Sequence, residues 1–174
     1  HGLSVHPKFP QRLVLFEKKG PHACEIDLIE QIVIRQISTD SSRYFYGHGV
    51  YSVDGNHVYS TETILANEEG VIVQRNSQTM QVEGFFPSYG ANPHECILIE
   101  KGTVLAITNG GRADSDHPDS LPCVSYVDIK TQKLLKKYKM MDHRFNTGHL
   151  AVSQQGQLIV ASAPHPKLAM SESG

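Results

Sequence analysis

The sequence predicts an all-β chain of repeated four-stranded antiparallel blades, a β-propeller of which about three and a half blades are visible. Three observations carry this prediction. A motif of a histidine, alternating apolar residues and a turn stands at His48-Gly-Val-Tyr-Ser-Val-Asp-Gly, and segments opening at His1, His94 and His149 fall into register with it. The spacings are 47, 46 and 55 residues, and self-similarity at a period of a few tens of residues is the mark of a solenoid or propeller. Apolar and polar residues alternate with period two through short runs punctuated by Pro, Gly, Lys and Ser, which is the pattern of half-buried strands. No segment carries a competing helical period.

In chain order, the first unit (about residues 1–47) predicts strands at Leu3–Val5, Arg12–Glu17, His22–Leu28 and Gln31–Ile37. The second (48–93) predicts His48–Val53, His57–Glu62, Val71–Arg75 and Met80–Phe86, its first two strands joined by a tight turn at Asp54-Gly55. The third (94–148) predicts Glu95–Ile99, Thr103–Thr108, Cys123–Ile129 and Lys133–Tyr138, with a long Asn109–Pro122 loop that accounts for the wider spacing. The fourth (149–174) offers only His149–Ser153 and Gln157–Ser162 and is incomplete. Three and a half blades cannot close a ring of the usual 4 to 8. The remaining blades are therefore expected after Gly174 or from another chain.

The segments Phe45-Tyr-Gly-His-Gly-Val-Tyr-Ser, Pro93-His-Glu, Ile107-Thr-Asn-Gly-Gly, Ser120-Leu-Pro-Cys-Val-Ser-Tyr-Val-Asp and Gly148-His-Leu-Ala-Val carry a resemblance that covers nearly the whole chain. They resemble a family of bacterial exported proteins known only as a domain of unknown function, itself similar to seven-bladed propellers of the Y-V-T-N repeat type, distant relatives of WD-repeat proteins. This resemblance implies a periplasmic or otherwise exported protein with an export signal ahead of His1. It brings no established reaction.

Composition narrows the partners. With 16 basic and 18 acidic residues and no basic block, the footprint of a nucleic-acid binder is missing. No apolar run approaches the length needed to span a bilayer. Cys24, Cys96 and Cys123 form no C-x-x-C pair, so neither a disulfide framework nor a cysteine zinc site is indicated, and Cys24 and Cys96 read as core fillers. There is no H-E-x-x-H, no G-x-S-x-G and no phosphate-loop spacing around Asn109-Gly110-Gly111.

What chemistry there is should gather at the mouth of the central channel, where equivalent loops converge. One loop class ends in the echo Arg43-Tyr-Phe-Tyr-Gly-His48 and Arg144-Phe-Asn-Thr-Gly-His149; the other supplies Glu62, Glu68 and Glu69, then Asn109, Arg112, Asp114, Asp116, His117 and Asp119. Two ligand chemistries follow. A transition metal, iron, zinc or copper, would take His1, His48, His94 and His149 as imidazole ligands with Glu62 as a carboxylate, and Glu95 adjoins the same ring. A small anion would be clamped by Arg43 and Arg144 while His48, His94 and His149, with Glu95 beside them, hydrogen-bond or move protons. Against both stands a structural role, each histidine satisfying its own blade through a partner such as Ser60, Asp27 or Asp128. The first expectation is an exported binding or scaffold propeller of unknown ligand. The alternatives are a metal-assisted hydrolase of lactonase type and a protein-interaction platform. The aromatic run Tyr44, Phe45, Tyr46 with Phe85, Phe86 and Tyr89 is expected in the connections between blades, packed there, and the lysines of Lys133–Lys139 on a solvated outer strand.

Overall fold

A computed structural model describes residues 1–112, 120–142 and 144–164. Fifteen strands and one 3₁₀ turn, Glu100–Gly102, make up the described chain. The first sheet has the order β1 (Gly2–Val5), β2 (Arg12–Phe16), β4 (His22–Asp27), β5 (Ile32–Ser38). The second contains β6 (Arg43–Tyr51), β7 (His57–Ile64), β8 (Glu69–Asn76) and β9 (Val82–Ala91), with β3 (Lys18–Gly20) added against β6. The third is β10 (Pro93–Ile99), β11 (Val104–Asn109), β12 (Cys123–Asp128), β13 (Leu134–Lys139), and the fourth is the pair β14 (Phe145–Val152) and β15 (Leu158–Pro164). Every pairing is antiparallel. The architecture is thus all-β, successive antiparallel sheets with no closed barrel, as expected of propeller blades seen in part.

The first strands of the four units stand side by side. Hydroxyl groups stitch them: Ser4 Oγ accepts from Tyr51 N across β1 and β6 at 3.0 Å, and Thr61 Oγ1 donates to His48 O at 3.0 Å and lies 3.2 Å from His94 O, bridging β6 and β10. Thr108 Oγ1 repeats the device one unit on, donating to Gly148 O of β14 at 2.6 Å while accepting from Glu95 N of β10 at 3.1 Å. Sheet faces are buried against their neighbours. Val14, Phe16, Ile37, Phe45, Tyr51, Val58 and Met80 fill the space between the first and second sheets. Tyr59, Ile72, Phe86, Cys96, Leu105, Ile107 and Val127 fill that between the second and third. Each such aliphatic or aromatic side chain contributes about 1.5–3 kcal/mol on full burial.

Three expectations need correcting. Lys18-Lys19-Gly20 reads as turn punctuation, but it forms β3, which leaves the first sheet and pairs with the second, Lys18 opposite Tyr46 and Gly20 opposite Phe45. Residues 43–47 are not a connection; they are the first half of β6, so Phe45 is fully buried within strand, and on β9 Phe86 is buried whereas Phe85 is exposed. Cys96 is a core filler, but Cys24 is only half-buried, because it lies on the opposite face of β4 from the buried Ala23 and Glu25. The turn at Gly55 is where the sequence places it: φ is +72°, Gly55 N donates to Ser52 O, and Asp54 caps the loop through Ser52 and Asn56. The lysine-bearing β13 is an exposed outer strand.

Candidate metal centre

Each of three inner strands loses register where its histidine stands. The shifts fall between Phe45 and Gly49 in β6, between Pro93 and Cys96 in β10, and between Thr147 and Leu150 in β14. A bulge inserts an unpaired residue and re-aims its side chain, so the repeat sets not only three histidines but three equivalent distortions that turn them out of the ladder. Thr61 and Thr108 hold the displaced carbonyls. Gly2 and Gly47 make room. Gly47 has φ +122°, and a Cβ there would stand 2.6 Å from the His1 ring; one on Gly2 would meet His48 Nδ1 at 2.5 Å.

The result is a group of four imidazoles. Ring centroids are 4.9 Å apart for His1–His48, His48–His149 and His94–His149, 5.1 Å for His48–His94, 5.4 Å for His1–His94 and 5.9 Å for His1–His149. One ring nitrogen from each lies within 4.8 Å of the others. Nitrogens around a tetrahedral ion at about 2.0–2.1 Å would stand about 3.4 Å apart, so the widest pair would have to draw in by about 1.4 Å to hold one ion. His48 and His94 lie inside the protein; His1 and His149 face solvent.

Glu95 orients the set. Its carboxylate accepts from Leu150 N at 2.6 Å and lies 3.3 Å from His149 Nδ1 and 3.5 Å from His48 Nδ1. A carboxylate on Nδ1 fixes the proton there and leaves Nε2 with its lone pair free for a metal. His48 Nε2 is buried and has no hydrogen-bond partner. An orphaned buried acceptor costs free energy, and a metal ion held there would satisfy it.

Electrostatics agree with that chemistry. Burial is the main cause that lowers His48 to about 4, with His149 and Lys18 adding to it, and burial followed by His48 and Lys18 lowers His94 to about 3. Both rings are neutral at pH 7, the form that ligates. The linkage sign follows: in the unfolded chain these histidines take up protons near 6.5, in the folded metal-free protein only near 4 and 3, so over that window the unfolded state binds more protons. Stability of the metal-free protein should therefore fall as pH drops below about 6.5, most steeply down to about 4. Melting curves across that range check it: a His48→Gln, His94→Gln variant should show a shallower dependence than the parent, and equal slopes would contradict the assignment.

The other candidate residues lie elsewhere. Glu62 is fully buried and held by Arg75 (Nη2–Oε1 2.6 Å), Arg43 (Nε–Oε2 3.0 Å) and the Ser60 hydroxyl at 3.1 Å. It does not join the imidazole group, its lone pairs being engaged by two guanidinium groups. Arg43 is thereby committed, its guanidinium also over the Phe85 ring at 5.1 Å, and Arg144 pairs with Asp142 at 2.7 Å. Asp114, Asp116, His117 and Asp119 lie outside the described residues. The suggested structural partners are occupied with other work: Ser60 bonds Glu62, Asp27 caps the Ile29 and Glu30 amides, and Asp128 caps Thr131.

Beside the imidazoles opens a cleft of about 270 Å³ lined by His94, His149, Lys18, Lys19 and Tyr46 among others. Its lysines escaped sequence reasoning, because the signal for them is a pairing between β3 and β6 that no local pattern announces. No curated protein matches the sequence. Residues 1–169 match the family described as "Protein of unknown function (DUF1513)". With nearly its whole length matched, the chain belongs to the DUF1513 family.

Proposed function

We propose that this protein binds one transition metal ion, iron, zinc or copper, through His1, His48, His94 and His149. The observation that carries the reading is the convergence of four imidazoles, His1 ahead of β1 and the others from β6, β10 and β14, with the buried Nε2 of His48 left unpartnered. Neutral imidazole suits these metals and excludes none of the three. When bound, the ion supplies Lewis acidity or an electron-transfer centre; the chain supplies the fixed nitrogens and, through Glu95, their orientation. Binding is favoured over lactonase-type hydrolysis because such an enzyme needs a base beside the ion. Glu95, the carboxylate against these imidazoles among the described residues, already serves two of them and the Leu150 amide.

The proposal includes the setting. The four sheets are blades of a propeller, seven-bladed in the type it resembles, and the protein is exported. Exposed apolar residues on the last pair of strands, Phe145, Val152 and Ile159, support further blades there, since each blade buries its faces only against neighbours. Calorimetric titration of the metal-free full-length protein with Zn(II), Cu(II) and Fe(II), the last under anaerobic conditions, tests the function. A saturable one-to-one isotherm with at least one of them is expected. Absence of saturable binding by all three would sink the proposal.

A further inference from the structure

The cleft beside the imidazoles has its own chemistry. Two of its lining residues, Lys18 and Lys19, arrive on β3, the strand that abandons its own sheet to pair with Tyr46 and Phe45. The departure is not free. Lys19 takes a left-handed backbone with φ +58°, and the pairing loses register between Lys18 and Gly20 around it. A non-glycine residue is strained there, as it is at several turns of this chain. What the detour achieves is to set two exposed ammonium groups at the edge of the histidine cluster. The Lys19 ammonium lies over the Tyr46 ring at 5.5 Å, and Tyr46 in turn has its ring centroid 6.1 Å from that of His94. Among the described residues neither ammonium has a carboxylate within ion-pair distance, and none of the residues lining the cleft is acidic.

Two positive charges, a phenol donor and an imidazole-bound cation facing one small space select negative charge on oxygen. We infer that the cleft is a site for a small oxyanion, a phosphate or a carboxylate, held by Lys18 and Lys19 against the metal bound to the histidines. The volume suits a ligand of a few heavy atoms to about the size of a small dicarboxylate, below the usual range for drug-sized molecules. This rests on the metal reading of the same site, and it moves anion recognition from Arg43 and Arg144, which are engaged with carboxylates, to the two lysines.

The test uses full-length protein loaded with zinc, its metal content measured first so that failure of the metal reading is seen separately. Inorganic phosphate and succinate are titrated in parallel at low ionic strength, which separates the two sources of the oxyanion. Saturable binding of at least one is expected, and a Lys18→Met, Lys19→Met variant should weaken it by roughly tenfold or more with zinc content and melting temperature unchanged, since charge-assisted contacts to both lysines are lost. Both side chains are exposed, and single Lys18→Gln and Lys19→Gln variants back up the double one. The inference is overturned if the zinc-loaded protein binds neither anion at millimolar concentration, or if all the lysine variants bind as the parent does.

Discussion

Replacing His94 by alanine should abolish stoichiometric metal binding while leaving the protein folded. Of the four imidazoles His94 is among the two that lie inside the protein, 8% exposed, with its ring within 5.4 Å of all three others, so no solvent-borne group stands ready to replace it. Loss of an outer carboxylate costs metal sites about 10–100-fold in affinity, and loss of a direct ligand should exceed that. The readout is a melting temperature measured with and without zinc. A ligand present at about 100 times its dissociation constant stabilises by about 2.7 kcal/mol, so the parent should gain several degrees and His94→Ala almost nothing. A variant that keeps the full zinc-induced shift would contradict the site.

The largest effect on stability is expected at Glu62, and it comes with no effect on metal. Glu62 and Arg75 are 0% and 2% exposed, and the Arg75 guanidinium lies over the Phe45 ring at 5.1 Å inside the core between the first two sheets. Its Nε already lacks a partner. Glu62→Gln keeps the shape but strips the neutralising charge from a buried guanidinium, a change that costs about 3–5 kcal/mol in buried pairs. Changing all three residues, Glu62→Leu with Arg75→Met and Arg43→Met, should recover much of that loss, because both guanidinium charges go with their partner. Metal content of the folded fraction should stay at the parent level. Lost metal with unchanged melting would instead mean that Glu62 acts as the ligand its charge suggests.

The contrast between these two residues shows what the sequence made legible. The plan of successive antiparallel sheets was readable because hydrophobic alternation and turn residues are local, and the repeat placed His1, His48, His94 and His149 at equivalent points of the chain. That equivalence sufficed to bring them together. The bulges were not readable, since a register shift belongs to a pair of strands and Gly47-His48 or Gly148-His149 looks the same in an unbroken ladder. For the same reason Thr61 and Thr108, which secure the displaced carbonyls, had no signal beyond ordinary strand composition. Glu62 carried a charge but no mark of its partner, which sits on the neighbouring strand at Arg75. Glu95, one residue beyond a histidine, was legible as belonging to the site, but its task of orienting His48 and His149 appears only across β10, β6 and β14. The lysines of β3 lay furthest from view: Lys-Lys-Gly has no apolar alternation, and its strand exists only because the neighbouring sheet offers an edge.

X-ray absorption spectroscopy of the metal-loaded full-length protein tests the central claim most directly. The account predicts a shell of nitrogen scatterers at about 2.0–2.1 Å with the outer-shell pattern of four imidazoles and no sulfur, Cys96 and Cys123 being buried away from the cluster. A spectrum with sulfur in the first shell, or one fitted by a single imidazole with the remainder water, would contradict it.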